Sequence, residues 1–324
     1  MPAEKEKQPQ AQRPGRPQRA LRPIPDPVKP EILLEREQRR RVPAIALAVT
    51  AGILPLAASL VAALAAGTYP TGKNKEAESI RYVADNDTAL LVSAILQVLG
   101  ILAVAGAILY LYDATRGRRP QTPQFARMLM ILGPVALAIG AIGFQLSLSS
   151  HAHDFVSAAN QSDKAAKDLL KGGSIATFAY LRSISVLLIM VGFALTALNA
   201  MRAGLLTRFL GTLGIIVAVL PILSVIVPFA AGVPLVQTFW FVALALLIAG
   251  RWPNGTPPAW VTGEEQPWPS QQEMRERAMA QRAGSDGEKP KPAPAAEDQR
   301  DGDGDGDGAP PRPVPAKRKR KRKR

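Results

Sequence analysis

The sequence predicts an all-α fold, a polytopic transmembrane helical bundle of six spans carrying disordered cytoplasmic tails. Three observations carry that prediction. Residues 43–67, 88–112 and 128–150 hold no charge over more than the ~20 residues an α-helix needs to cross a bilayer. Two further apolar runs follow, 174–201, interrupted only by Arg182, and 209–250. The loops between runs alternate in their density of Lys and Arg, as loops on opposite sides of a membrane do.

Taken in order, residues 1–30 form a basic, Pro-rich leader too poor in apolar residues to fold. A basic juxtamembrane segment, 31–42, ends in Arg39, Arg40 and Arg41 against the first span, 43–67. A polar leader of this length before so long an apolar run does not fit a cleaved signal peptide. The run 209–250 contains 42 uncharged residues, and at about 1.5 Å per residue a single helix of that length would reach roughly 63 Å. It is therefore read as two spans, 209–230 and 233–250, turning at Ala231, Gly232, Val233 and Pro234, because Gly and Pro break helices. The transmembrane domain is thus 43–250, with spans 43–67, 88–112, 128–150, 174–201, 209–230 and 233–250.

The loop 151–173 pairs Asp163 with Lys167 and Lys164 with Asp168 at helical spacing and ends in Gly172-Gly173, which predicts a short helix on the outer surface. Segment 251–283 opens with Trp252, Trp260 and Trp268, whose rings suit the headgroup region. Capping-box spacing of Ser270 and Glu273 then predicts a short helix to about Ala283. Residues 284–324 form a disordered tail with an acidic Asp-Gly repeat and a polybasic end.

Orientation follows from the basic residues. Residues 1–42 carry eleven Lys or Arg, the loop 113–127 carries Arg116, Arg118, Arg119 and Arg127, and Arg202, Arg208 and Arg251 flank later helix ends. The intervening loops carry Lys73, Lys75 and Arg81, and Lys164, Lys167 and Lys171, while the 231–234 turn carries none. The positive-inside rule places both termini in the cytoplasm of a multi-pass bacterial plasma-membrane protein.

The absence of cysteine excludes disulfides and thiolate chemistry. No Gly-x-Ser-x-Gly elbow, phosphate loop or zincin helix occurs, so no catalytic residue and no cofactor is assigned. Asp301, Asp303, Asp305 and Gly306 open like a calcium loop, but its twelfth position is Arg312 where a bidentate Glu is required. His151, His153 and Asp154, which include the only two histidines, form a weak metal candidate short of four ligands. Pro55, Pro134, Pro221 and Pro228 fall within spans and are read as packing features.

Arg182 is the one charge inside a span, where a charge costs at least about 2.5 kcal/mol on insertion scales. Counting from the span ends puts Gln97, Gln145 and Gln237 in the same outer half, which defines a candidate polar pocket of Arg182, Gln97, Gln145 and Gln237. Asp85, Asp87 or a ligand would meet the guanidinium. The competing reading starts the fourth span near Ser183 and lets Arg182 snorkel to the outer headgroups.

Lys317, Arg318, Lys319, Arg320, Lys321, Arg322, Lys323 and Arg324 form an unbroken basic end. Such a block attracts anionic inner-leaflet lipid, or nucleic acid and ribosomes. The stretch Met201 to Leu220, MRAGLLTRFLGTLGIIVAVL, and the ending Gly250 to Ser270, GRWPNGTPPAWVTGEEQPWPS, resemble uncharacterised multipass proteins of high-GC actinobacteria and a domain-of-unknown-function family of bacterial membrane proteins. The resemblance implies a bacterial plasma membrane and carries over no functional residue.

Two functions follow from these residues. The leading one is a non-enzymatic membrane protein whose tails engage anionic surfaces at the cytoplasmic face. The alternative is a small-solute transporter or channel, its substrate unknown, with an outward-facing polar pocket around Arg182. For the tail, a peptide of residues 309–324 is expected to sediment with anionic vesicles, to ignore neutral ones, and to be released by salt, since each basic residue near such a surface contributes about 1 kcal/mol. Preference for RNA over vesicles at equal ionic strength would move the tail's partner to nucleic acid.

Overall fold

The computed structural model describes residues 29–67, 69–70, 75–226, 233–253 and 255–269, with five positions between 273 and 280. The chain divides into two units, Met1–Trp268 and Pro269–Arg324. In the second unit Glu273, Arg275, Glu276, Met279 and Ala280 are helical. The remainder of the expected 270–283 helix, the acidic repeat and the basic end lie outside the described residues, as do the first 28 residues and the turn residues Ala231 and Gly232.

Among the described residues of the first unit all regular structure is helical: α1 (Pro30–Val61, ending in a π-helical turn at Ala62–Ala66), α2 (Glu76–Asp85), α3 (Asp87–Arg118), α4 (Gln124–Ser157), α5 (Asp163–Lys171), α6 (Gly173–Arg202), α7 (Arg208–Ile226), α8 (Val233–Ile248) and α9 (Ala259–Thr262). Four of these, α1, α3, α4 and α6, are long and apolar enough to cross a membrane, whereas α7 and α8 are apolar but shorter. The long helices are apolar on every side. Ala48, Ile108, Leu111, Met130 and Phe193 are buried, yet Ile53, Leu99, Leu132, Ile139 and Leu187 stand exposed on the same helices. An outer surface of this kind is stable in hydrocarbon and unfavourable in water, which marks a membrane-embedded protein.

The six apolar helices close into a ring in chain order: α1 packs on α3, α3 on α4, α4 on α6, α6 on α7, α7 on α8, and α8 returns to α1. The contacts run antiparallel. Along α1 and α3, the Ser93 hydroxyl donates to the Ala58 carbonyl (3.0 Å) near one end, and Tyr110 donates to the Glu37 carbonyl (3.5 Å) near the other. Between α1 and α8, Thr238 donates to the Gly52 carbonyl (2.6 Å) and Arg41 Nε to the Ile248 carbonyl (2.8 Å). The start of α1 and the finish of α8 therefore share one end of the ring. The tightest crossing joins α4 to α6, where a Cβ on Gly140 would stand 3.0 Å from the backbone nitrogen of Arg182.

The end shared by α1 and α8 is held by charge and by indoles. Arg118 of α3, its side chain fully buried, makes a two-pronged ion pair with Glu37 of α1. Its Nε donates to the Ala259 carbonyl (3.0 Å), and its guanidinium sits 5.4 Å from the Trp260 ring centre. Trp260 and Trp268 donate to the carbonyls of Leu205 and Leu206, each at 2.8 Å. Those carbonyls belong to the sharp α6–α7 turn, where Gly204 takes φ +78° and a Cβ would fall 2.0 Å from the Gln266 carbonyl oxygen. The two indoles expected among headgroups thus clamp residues 251–268 to the ring, because a sheltered indole N–H needs an acceptor.

At the opposite end Ile80 and Val83 of α2 and Ala166 of α5 cluster with Leu148 and Phe155 of α4 and Ile175 of α6. Helix α2 lies where only an outer loop was expected. On α5 the anticipated pairs Asp163–Lys167 and Lys164–Asp168 do not form among the described residues; Asp163 instead accepts the Ala77 amide of α2 (3.0 Å). Partial burial, with the Tyr69 phenol beside it, pushes the Tyr82 hydroxyl's pKa up, and it donates to the Gly67 carbonyl (3.3 Å).

Removing one member of a buried ion pair leaves the other charge stranded, at a cost of about 3–5 kcal/mol. Glu37→Ala is expected to lower the melting temperature of the purified protein markedly, while Glu35→Ala, which removes an exposed pair with Arg39, leaves it unchanged within error. Equal melting temperatures for the two variants would show that the buried pair does not hold this end.

Candidate functional site

Within the ring lies a cavity of about 230 Å³ to which all six apolar helices contribute: Pro55 of α1, Gln97 and Ile101 of α3, Leu137 and Ala141 of α4, Arg182 and Val186 of α6, Pro221 of α7 and Gln237 of α8. Its polar members are Gln97, Arg182 and Gln237. Each is placed by backbone packing. Arg182 is pinned by the close approach of Gly140. Gln97 stands one turn from Ser93, which is anchored to the Ala58 carbonyl, and donates to its hydroxyl at 3.4 Å. Gln237 neighbours Thr238, which is tied to Gly52 of α1. Two walls are prolines, and a Cβ at Gly100 would stand 2.9 Å from the Pro55 ring, so α3 approaches α1 closely there.

Arg182 is exposed and lines this cavity, and among the described residues no side chain or carbonyl hydrogen bonds or ion pairs with its guanidinium. The contrast with Arg118, matched by a carboxylate, two carbonyls and an indole face, is sharp. Asp87 does not meet Arg182; it pairs with His153 Nε2 at 3.2 Å. Gln145 does not line the cavity and donates along its own helix to Ser149 at 3.4 Å. Nor do His151, His153 and Asp154 converge: His151 Nδ1 engages the Ser147 carbonyl (2.7 Å), and no group of three His, Asp or Glu among the described residues is placed to hold a metal.

Toward the Arg118 end the cavity adjoins a narrower space of about 90 Å³, sharing Ile101, Leu137, Val186, Pro221 and Gln237 and reaching Phe193, Ala218 and Phe241. Helices α3 and α6 touch across the ring. Phe193, Trp240 and Phe241 cluster with ring centres 4.9 to 5.9 Å apart, and Trp240 donates to the Leu210 carbonyl (2.8 Å) over Gly214. The result is a space that is polar at Arg182, Gln97 and Gln237 and apolar and aromatic toward Phe193 and Phe241. None of its described lining residues is acidic or nucleophilic, so the arrangement suits binding of an anion and offers no group for acid–base or covalent chemistry.

Sequence reasoning missed the Glu37–Arg118–Trp260 cluster and the 220 Å³ cavity beside it, lined by Glu37, Arg41, Tyr110 and Trp260. The available signal was Glu37 itself, an acid set between Arg36 and the run Arg39, Arg40 and Arg41.

The family described as domain of unknown function DUF4386 matches residues 46–252, from within α1 past the end of α8. The chain belongs to that family. The matched span of this DUF4386 member takes in the whole cavity and leaves out Glu37, the residues beyond 252 and both tails. No curated protein and no solved structure matches.

Proposed function

We propose that this DUF4386 protein crosses a bacterial plasma membrane six times, with both termini cytoplasmic, and admits a small anionic solute from the outer side to the cavity at Arg182, as a transporter or channel. The observation that carries the reading is the guanidinium of Arg182, without a partner among the described residues, in a cavity built by all six helices. A charge at membrane depth is retained when it pairs or serves a pathway. Arg118, at the end of α3, pairs with Glu37; Arg182, inside a span and without a partner among the described residues, serves. The antiparallel closure of α8 onto α1 supports counting α7 and α8 as crossings, since it returns the chain to the end where α1 begins. A hollow of about 400 Å³ at that end, lined by Arg119, Arg202, Arg208 and Trp268, supports placing it against anionic inner-leaflet lipid. The basic end at 317–324 engages the same anionic face.

Two experiments test this reading. In liposomes holding the purified chain, flux of a small radiolabelled carboxylate is expected to fall at least tenfold in Arg182→Met, since hydrogen bonds to a charged group contribute about 1.5–3 kcal/mol. Arg182→Lys should retain part of it, and neither variant should lower the melting temperature. Unchanged flux in Arg182→Met would overturn the anion site. For topology, the cysteine-free chain permits single cysteines at Gln8, Glu78, Ser162 and Ser285, of which Glu78 and Ser162 are exposed in the structure. An impermeant thiol reagent should reach 78 and 162 in intact cells and spare 8 and 285; labelling of position 285 would contradict cytoplasmic placement of the carboxyl terminus.

A further inference from the structure

We infer that the ligand of this cavity is an amphiphile, a monocarboxylate whose head is held by Arg182 with Gln97 and Gln237 and whose unbranched apolar tail runs along α6 toward Phe193; this rests on Arg182 being an anion site. The head is assigned by charge and shape. Arg182 is the one cation among the described lining residues of either space, so a singly charged anion is neutralised there and a doubly charged phosphate is not. The planar guanidinium fork matches a carboxylate's two oxygens, and the carboxamides of Gln97 and Gln237 supply further donors.

The tail is assigned by what lies beneath. Past Gln237 the lining turns wholly apolar, through Val104, Ile189 and Met190 to Phe193 and Phe241. A purely hydrophilic anion such as formate would leave that space empty or hold water against walls that offer it no partners. An alkyl chain fills it and is stabilised by burial, and the flexible thioether of Met190 accommodates its shape. Arg182 and Phe193 are eleven residues apart on one helix, about 16 Å at 1.5 Å per residue. An extended chain advances roughly 1.2 Å per bond, so about a dozen carbons bring a tail from the head site to the aromatic floor.

The test is calorimetric titration of the full chain in nanodiscs with straight-chain carboxylates of increasing length, alongside alcohols of equal length. Affinity in excess of that shown by Arg182→Met is expected to rise about fourfold per methylene, the equivalent of ~0.8 kcal/mol per buried methylene, and to stop rising near the length that meets Phe193. The alcohols should show no such excess. Ala218→Phe, and separately Val104→Phe from the facing wall, should move the break to shorter chains without weakening the shortest carboxylates; two variants guard against one that misfolds. Arg182-dependent binding that does not change with chain length would overturn the amphiphile and leave the anion site standing. Equal chain-length dependence in wild type and Arg182→Met would mean partition into lipid alone and would overturn both.

Discussion

A charge placed among apolar helices must find a partner or be given one, and this protein contains both cases. Arg118 has its partners in the fold: Glu37, two carbonyls and the face of Trp260 surround it. That arrangement fastens α1 to α3 and draws residues 259–260 onto the same end. Arg182 has none among the described residues and lines the central cavity. In low dielectric, removing one partner of a satisfied pair is costly, and an unsatisfied polar group favours the arrival of a partner. The same physics thus yields a locked end and a receptive interior.

The rest of the architecture serves to keep the interior open. Glycines let helices approach at selected points: Gly140 under the Arg182 backbone, Gly100 under Pro55, Gly214 under the Trp240 indole. Prolines at 55 and 221 lie in the cavity wall, where a missing amide hydrogen leaves a carbonyl without its helical partner and bends the helix. Two of these approaches, Gly140 to Arg182 and Gly100 to Pro55, lie at the level of the cavity itself, and the third, at Gly214, lies beside the aromatic cluster.

Much of this was legible in the sequence because membrane depth can be counted in residues. Uncharged run length located the four long helices and the two shorter apolar ones, and counting from span ends brought Arg182, Gln97 and Gln237 to one level. What counting cannot give is the angular face or the partner. Gln145 stands one turn beyond Ala141, toward the α2 and α5 end, and is taken up by Ser149. Asp87 was within reach of Arg182 by depth but bonds His153 on α4. The Glu37–Arg118 pair joins residues 81 apart in sequence, so neither alone distinguished itself from an interfacial charge. Helix α2 did leave a signal, Ala77, Ile80 and Val83 at three-residue spacing, masked by the charged residues between them.

The central claim is that Arg182 presents its charge to an accessible interior cavity. A single cysteine in place of Ala141, on the cavity wall, measures this directly through its rates with anionic and cationic methanethiosulfonate reagents of matched size. The account predicts labelling from the outer side, severalfold faster with the anionic reagent, and loss of that preference when Arg182 is also changed to Met. A cysteine that no reagent reaches, or a preference that survives without Arg182, would contradict it.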